Sequence, residues 1–117
     1  MHITEPVGIA PAGIFLLGKE NPMSEQQTQL FRLGTLVMTI GASDALHEVG
    51  EDALTYISKH ATGEWGDLCA EDKEANQMAL KDGSRIFSAY ILSSGVKLYV
   101  ITEWDRSYTT LLEAGEY

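Results

Sequence analysis

The fold is decided by RIFSAYILSSGVKLYVITE, residues 85–103. Two runs of apolar, β-branched and aromatic residues, Arg85–Leu92 and Val96–Glu103, flank the short segment Ser93–Gly95. Residues of these types favour strands, and a serine and glycine segment between two such runs is typical of a hairpin turn. The stretch therefore predicts a β-hairpin, and the apolar run Tyr108–Leu112 predicts a further strand after it.

Three helical segments are predicted before the hairpin, and each of them is closed by a glycine. They follow a predicted strand over Leu30–Ile40, which has a break near Gly34. The predicted starts and stops are Ser43-Asp44 and Gly50, Asp52 and Gly63, and Asp67 and Gly83. The sequence thus predicts an α+β domain of order β-α-α-α-β-β-β, with three helices on one face of an antiparallel sheet of three to four strands.

The first 22 residues differ in composition from the rest of the chain. They contain all three prolines and an apolar run, Gly13–Leu17, that is too short to span a membrane. No lysine or arginine precedes that run, as a secretory signal would require. Met23 then opens a polar stretch that resembles a natural N-terminus. We expect residues 1–22 to be a translated leader or an N-terminal arm packed on the domain, and residues 23–117 to form a single α+β domain.

Negative charge is concentrated in the helical part of the chain. The 117 residues carry 17 acidic and 8 basic side chains, a net charge of −9. Ten of the acids lie between Asp44 and Asp82 against three lysines, a net of −7. Such a balance argues against direct binding of nucleic acid or of an anionic membrane. The single cysteine, Cys69, excludes an internal disulfide and indicates a cytoplasmic location, and no motif points to a cofactor or a metal.

One candidate site is the stretch HATGEWGD, residues 60–67. His60 and Asp67 are suited to act as a base and its orienting carboxylate, or as part of a metal site. The structural alternative is that Trp65 fills the core and Asp67 caps the next helix. In that alternative His60 lies in a last helical turn, where a cation suits the helix dipole.

A second candidate site follows the second strand of the hairpin. Glu103 and Asp105 would point to the same side if that strand continued, and such a pair suits acid/base chemistry or a divalent cation. The structural alternative is an internal ion pair. It would join Arg106 or Arg85 to the carboxylate of Glu103, Asp105 or Asp67.

The second half of the chain carries a set of residues that occur together elsewhere. They are His60, Gly63-x-Trp65-Gly66-Asp67, Asn76, Gly83-x-Arg85, Ser88-x-Tyr90, Ile101-Thr102-Glu103-x-Asp105-Arg106-Ser107, Thr109-Thr110 and Glu116-Tyr117. In these residues the chain resembles a family of small bacterial proteins often encoded on plasmids and integrative elements. It departs from that family at Leu111–Gly115, where the family has Leu-Leu-Pro, and at Trp104, where a small residue is usual. The resemblance implies a mobile-element context and no mechanism.

Two functions follow from these observations. The first is a non-enzymatic accessory protein whose acidic surface binds a basic protein, conceivably a DNA-binding protein whose site the carboxylates occupy in place of phosphates. The residues predicted to bind are Asp44, Glu48, Glu51, Asp52, Glu64, Trp65, Asp67, Glu71, Asp72 and Glu74. The alternative is a small hydrolase or transferase, with a site built from His60, Asp67, Glu103, Asp105 and Arg106. The oligomeric state is left open.

Overall fold

The computed structural model describes residues 3–6 and 29–117. The strands are β1 (Ile3–Pro6), β2 (Thr35–Thr39), β3 (Ile86–Ile91), β4 (Lys97–Thr102) and β5 (Tyr108–Glu113). The helices are α1 (Ile40–Val49), α2 (Ala53–Ala61), α3 (Ala70–Asp82) and a final 3₁₀ turn (Ala114–Glu116). The predicted order β-α-α-α-β-β-β is confirmed over residues 29–117. The predicted start at Met23 lies outside the described residues.

The strands form one sheet in the order β1-β2-β5-β4-β3, and the sheet is mixed. The hairpin pairs β3 with β4, and β4 pairs with β5, in both cases antiparallel, while β1 is antiparallel to β2. Strand β2 runs parallel to β5, from Thr35 opposite Tyr108 to Met38 opposite Leu111. The prediction of a purely antiparallel sheet is therefore wrong. The three helices carry the chain back across the sheet after β2, so that β2, β3 and β5 all run in one direction.

Helices α1 and α2 pack on one face of the sheet and enclose the larger core. Its buried members are Leu36, Ala42, Ala45, Leu46, Ala53, Tyr56, Ile57, Tyr90, Leu92, Leu98, Val100 and Leu111. A smaller cluster of Trp65, Ala79 and Ile86 lies beside α3. Removal of these side chains from water supplies the main driving force for the fold.

Local signals explain most of the helix ends. Gly50 and Gly83, at φ of 69° and 80°, end α1 and α3 in the left-handed conformation that glycine adopts most readily. The Asp52 carboxylate accepts a hydrogen bond from the Leu54 backbone N–H at 3.1 Å and caps α2 as predicted. Helix α1 begins three residues earlier than Ser43, because the Thr39 hydroxyl accepts from the Ala42 backbone N–H and caps it there.

The outer edge of β3 is covered by two non-strand segments. The Asn76 side chain in α3 donates to the Phe87 carbonyl oxygen at 2.6 Å and accepts from the Phe87 backbone N–H at 3.1 Å. Two residues along, Ala89 donates to the Trp65 carbonyl oxygen at 3.1 Å and accepts from the Asp67 backbone N–H at 2.6 Å. These four bonds satisfy edge groups that would otherwise be open to another strand.

The last two residues are part of the folded domain. The Glu116 carboxylate accepts hydrogen bonds from the Thr39 hydroxyl at 2.6 Å and from the Glu113 backbone N–H at 2.9 Å. It therefore lies at the N-terminus of α1, where a negative charge favours the helix dipole. The Tyr117 ring contacts the rings of Phe87 and Tyr99, with centroid distances of 6.1 and 5.6 Å.

Candidate functional site

His60 lies in the last turn of α2 with its ring sealed in the protein interior. Its side chain is 0% exposed. Ring nitrogen Nδ1 is 2.6 Å from the Ser88 hydroxyl on β3, and Nε2 is 2.9 Å from the Thr102 hydroxyl on β4. The rings of Phe31 and Trp65 lie edge-on to the imidazole, at centroid distances of 5.1 and 6.1 Å. A substrate therefore has no direct approach to this histidine.

The hydrogen bonds around His60 fix its tautomer. The Thr109 hydroxyl donates to the Leu33 carbonyl oxygen at 2.7 Å, so it must accept at its 2.6 Å contact with Thr102. Each hydroxyl has a single proton, and Thr102 uses its own on Thr109. Thr102 therefore accepts from Nε2–H of His60, and Nδ1 accepts from Ser88. The result is a one-way chain of four hydrogen bonds that ends on a main-chain carbonyl oxygen.

The surroundings of His60 favour the neutral imidazole. Burial, with a further contribution from the Arg106 guanidinium, lowers the pKa of His60 to about 3. The prediction that His60 presents a cation to the end of its helix is therefore wrong. A neutral, fully bonded imidazole in the core stabilises the fold and is not poised for proton transfer with solvent.

This buried histidine predicts a loss of stability in mild acid. Below pH 6.5 the unfolded chain binds a proton at His60 that the folded chain, with a pKa of about 3, does not bind. The stabilisation is thus complete above pH 6.5 and falls as the pH drops towards 3. We expect a decrease of about 2 kcal/mol in the free energy of unfolding between pH 7.5 and pH 5, measured by urea denaturation.

The pH window separates this effect from that of the carboxylates. Side-chain hydrogen bonds lower the pKa values of Glu51, Asp82 and Asp105, so their contributions are lost only at more acidic pH. A His47→Gln variant serves as control, because it removes an exposed imidazole on α1 and keeps the buried imidazole of His60. An NMR titration in which the folded His60 ring gains a proton near pH 6.5 would contradict the assignment.

Arg106 stabilises the β4–β5 turn by binding carbonyl oxygens. Its guanidinium donates to the carbonyl oxygens of Ser84 at 2.7 Å, Glu103 at 3.0 Å and Ala79 at 3.2 Å. Its backbone is in the left-handed region, at φ of 58°. The side chain also lies over the Phe31 ring, with 5.7 Å between Cζ and the ring centroid. Arg106 thus ties the turn to α3 and to the chain segment before β2.

The predicted internal ion pair does not form among the described residues. Arg106 binds carbonyl oxygens, and Arg85 donates instead to the Tyr117 hydroxyl at 2.9 Å. Neither guanidinium has a carboxylate of residues 29–117 within ion-pair distance, so the pairing predicted with Glu103, Asp105 or Asp67 is wrong. The chain reverses tightly at the turn and places main-chain carbonyl oxygens around the Arg106 guanidinium. These oxygens accept the hydrogen bonds that a carboxylate would otherwise accept.

Glu103 and Asp105 do not form the expected pair on a continuing strand. Strand β4 ends at Thr102, and the Asp105 carboxylate accepts from the Ser107 backbone N–H at 3.0 Å inside the turn. The alternation of side chains that placed both carboxylates on one side therefore stops before Glu103. Within residues 3–6 and 29–117 no group of three metal-ligating side chains comes together.

Asp67 lies at a different part of the molecule from these residues. It is exposed, and its carboxylate is 3.9 Å from the Lys97 ammonium at the start of β4. Helix α3 begins at Ala70 with Cys69 as its N-cap residue, so the prediction that Asp67 caps α3 is wrong, and the Asp67 backbone N–H donates instead to the Ala89 carbonyl oxygen. Glu103 follows Lys97 by six residues, which is about 20 Å of extended chain. The five residues of the enzyme hypothesis therefore do not share one pocket.

An open groove of about 840 Å³ lies between α2, the chain before β2 and the β4–β5 turn. Its apolar lining comes from Leu33, Leu36, Leu54 and Ile57. Its charged lining consists of Arg32, Asp52, Asp105 and Arg106, which sum to zero. His60 and Asp67 are absent from its walls. The groove is large enough for a ligand or a side chain of a partner, but it brings no catalytic set together.

The residues predicted to bind a partner divide into a surface set and an interior set. Exposed carboxylates are found at Asp44, Glu48, Asp52, Glu64, Asp67, Glu71, Asp72 and Glu74. Trp65 is 4% exposed and belongs to the core, which confirms the structural alternative for it and makes the binding prediction wrong. Glu51 is half-buried, and its carboxylate accepts hydrogen bonds from the Tyr56 hydroxyl and the Ser93 backbone N–H.

Sequence reasoning missed the partners of His60. Ser88, Thr102 and Thr109 are at most 1% exposed and supply the hydroxyls of the chain described above. Their signal was present, because each is a hydroxyl residue in a strand whose neighbouring residues are largely apolar or aromatic. A hydroxyl at such a position needs a partner in the interior, and an imidazole supplies both a donor and an acceptor.

No family model, no curated protein and no solved structure matches the chain. In the described part of the chain, no helix combines the length and the apolar content needed to cross a bilayer.

Proposed function

We propose that this protein is a small cytoplasmic accessory protein of a mobile genetic element, and that it acts by binding a basic protein through its acidic helical surface. The observation that carries this proposal is the set of nine exposed carboxylates on and between the three helices, which are the eight named above and Asp82. Of these, Asp67 alone forms an ion pair within the described residues. Asp52 and Asp82 also accept local hydrogen bonds, from the backbone N–H groups of Leu54 and Ser84, but their charges remain exposed to a partner like those of the others.

The distribution of charge supports binding more than catalysis. The segment from Asp44 to Asp82 has a net charge of −7, and the remainder of the chain contributes only −2. A surface of one sign attracts a basic partner over long range and orients it before contact. The side chains of His60 and Arg106, which were candidates for catalysis, form hydrogen bonds within the fold instead.

Helix α3 is the best-defined element of this surface. Of its thirteen residues, only Asn76 and Ala79 are buried. Glu71 and Glu74 are exposed and lie three positions apart, so their carboxylates are neighbours on the helix surface. A row of carboxylates on a rigid helix can replace backbone phosphates in the site of a DNA-binding protein, which is the partner class that we propose.

The proposal predicts a salt-sensitive interaction that depends on α3 carboxylates. The tagged chain is used to capture proteins from bacterial lysate at low and raised salt, with and without duplex DNA. A Glu71→Gln/Glu74→Gln variant should lose most of the captured basic partner, because two unpaired charges are removed without a change in shape. Duplex DNA and raised salt should release the partner from the wild-type chain.

The same helix offers a matched control. Lys73 and Lys81 are also exposed on α3, and a Lys73→Gln/Lys81→Gln variant makes the same number of isosteric changes with the opposite effect on charge. It should retain the partner at least as well as the wild type. Recognition through the acidic surface would be ruled out if the amount of captured partner did not depend on salt, or if both variants lost the partner equally.

A further inference from the structure

The two tryptophans of the chain have opposite environments. Trp65 is 4% exposed in the core, whereas Trp104 is 68% exposed in the turn between β4 and β5. A tryptophan side chain is large and apolar, and it contributes strongly to binding when a partner covers it. Its exposure here indicates a contact surface at the β4–β5 turn.

The backbone that presents Trp104 is held on both sides. The Arg106 backbone N–H donates to the Glu103 carbonyl oxygen at 2.9 Å, and the Ser107 carbonyl oxygen accepts from the Thr35 backbone N–H at 3.0 Å. The Arg106 guanidinium adds the bonds to Ser84 and Ala79 described above. A side chain on such a preorganised turn loses little freedom when it binds.

The same turn forms a wall of the 840 Å³ groove. Asp105, Arg106 and Ser107 line the groove immediately after Trp104 in the chain, and Leu54 and Ile57 supply part of its apolar lining. An exposed tryptophan and a groove of mixed apolar and polar lining therefore lie close together on one surface. This arrangement is complementary to a copy of itself rotated by a two-fold axis, because each copy then offers its tryptophan to the other's groove.

The distribution of charge favours self-association through the surface around the groove over association through the acidic helical surface. Two chains of net charge −9 repel each other, and the repulsion is strongest between their helical surfaces. Around the groove the charges of Arg32, Asp52, Asp105 and Arg106 cancel. Arg32 is exposed and makes no hydrogen bond or ion pair with the described residues, while Asp105 stands exposed on the turn. In a two-fold arrangement, the exposed Asp105 of one copy offers a charge complementary to the exposed Arg32 of the other.

We propose that the chain forms a symmetric homodimer in which Trp104 of each copy enters the groove of the other. The occupant of the groove is thus a second copy, and neither groove is complete without the tryptophan of its partner. This inference goes beyond the proposed binding of a basic protein and does not depend on it.

Sedimentation velocity of the full chain from about 1 to 300 µM, a range typical of modest interfaces, tests the proposal. The wild type should shift with concentration from the 12.8 kDa monomer to the dimer. A Trp104→Ala variant should raise the dissociation constant at least about 30-fold, as loss of a central tryptophan does. At a concentration low enough that both chains are monomeric, its thermal unfolding should match that of the wild type, since the side chain is largely exposed.

Met78 supplies the control, because it is an equally exposed apolar residue, at 61%, on the helical surface. A Met78→Ala variant should dimerise like the wild type. Tryptophan emission gives a second measurement: dilution of the wild type should move it to longer wavelength as Trp104 returns to water. A wild type that stays monomeric, a Trp104→Ala variant that still dimerises normally, or an equal effect of Met78→Ala would each overturn the proposal.

Discussion

Replacement of His60 by alanine is expected to lower the free energy of unfolding by about 3 to 5 kcal/mol. The change removes a fully buried ring that packs against Phe31 and Trp65. It also leaves the hydroxyls of Ser88 and Thr102 without their shared partner in the interior. Because small domains are stable by only about 5 to 15 kcal/mol, this variant should unfold at much lower urea concentration or temperature.

Two further variants separate packing from hydrogen bonding at this site. Thr102→Val keeps the shape but leaves the Nε2–H of His60 without an acceptor, so it should cost about 1 to 3 kcal/mol. His47→Ala on the exposed side of α1 should change stability by less than about 0.5 kcal/mol. If His60→Ala were as mild as His47→Ala, the hydrogen-bond chain would have no part in holding α2 to the sheet.

Replacement of Gly66 by alanine is expected to cost about 3 kcal/mol or more. Gly66 has a φ of 80°, and a Cβ atom there would overlap the Ala89 carbonyl oxygen and lie 2.6 Å from the Tyr90 ring. The clash falls on backbone and on a buried aromatic ring, neither of which can move without loss of core packing. Urea denaturation measures the loss.

Gly83 is the matched control for this prediction. It has the same φ of 80°, but a Cβ atom at Gly83 would meet nothing within 4 Å. Gly83→Ala should therefore cost about 1 kcal/mol, from the backbone conformation alone. Equal losses in the two variants would show that the approach of Gly66 to β3 is not a tight constraint.

The features that sequence predicted correctly depend on residues close together in the chain. The stops at Gly50 and Gly83 and the cap at Asp52 each need only one turn of helix around them. Asp67 is the same residue type as Asp52, but α3 starts only at Ala70, and the Asp67 backbone is bonded to Ala89, 22 positions away. The parallel placement of β2 beside β5 likewise depends on the whole helical connection, which no local pattern records.

The environment of a candidate residue was harder to predict than its identity. The sequence shows that residue 60 is a histidine, but the hydroxyls of Ser88 and Thr102 that bond its two ring nitrogens lie 28 and 42 positions away in the chain. Trp65 and Trp104 show the same limit, because one residue type fills the core in a loop and faces water in a turn. Burial is decided by how distant elements pack, and a single sequence shows that only indirectly.

The covered edge of β3 also restricts how a partner can recognise this protein. A peptide that binds by strand addition needs free main-chain donors and acceptors along an edge. At β3 those of Phe87 and Ala89 are occupied by Asn76 and by the segment that carries Trp65. To bond to these groups, an incoming strand would have to displace the Asn76 side chain at Phe87 and the segment that carries the core residue Trp65 at Ala89. A partner at this edge must therefore contact side chains and not main-chain groups. This favours a folded partner with a surface of complementary shape and charge over an extended peptide.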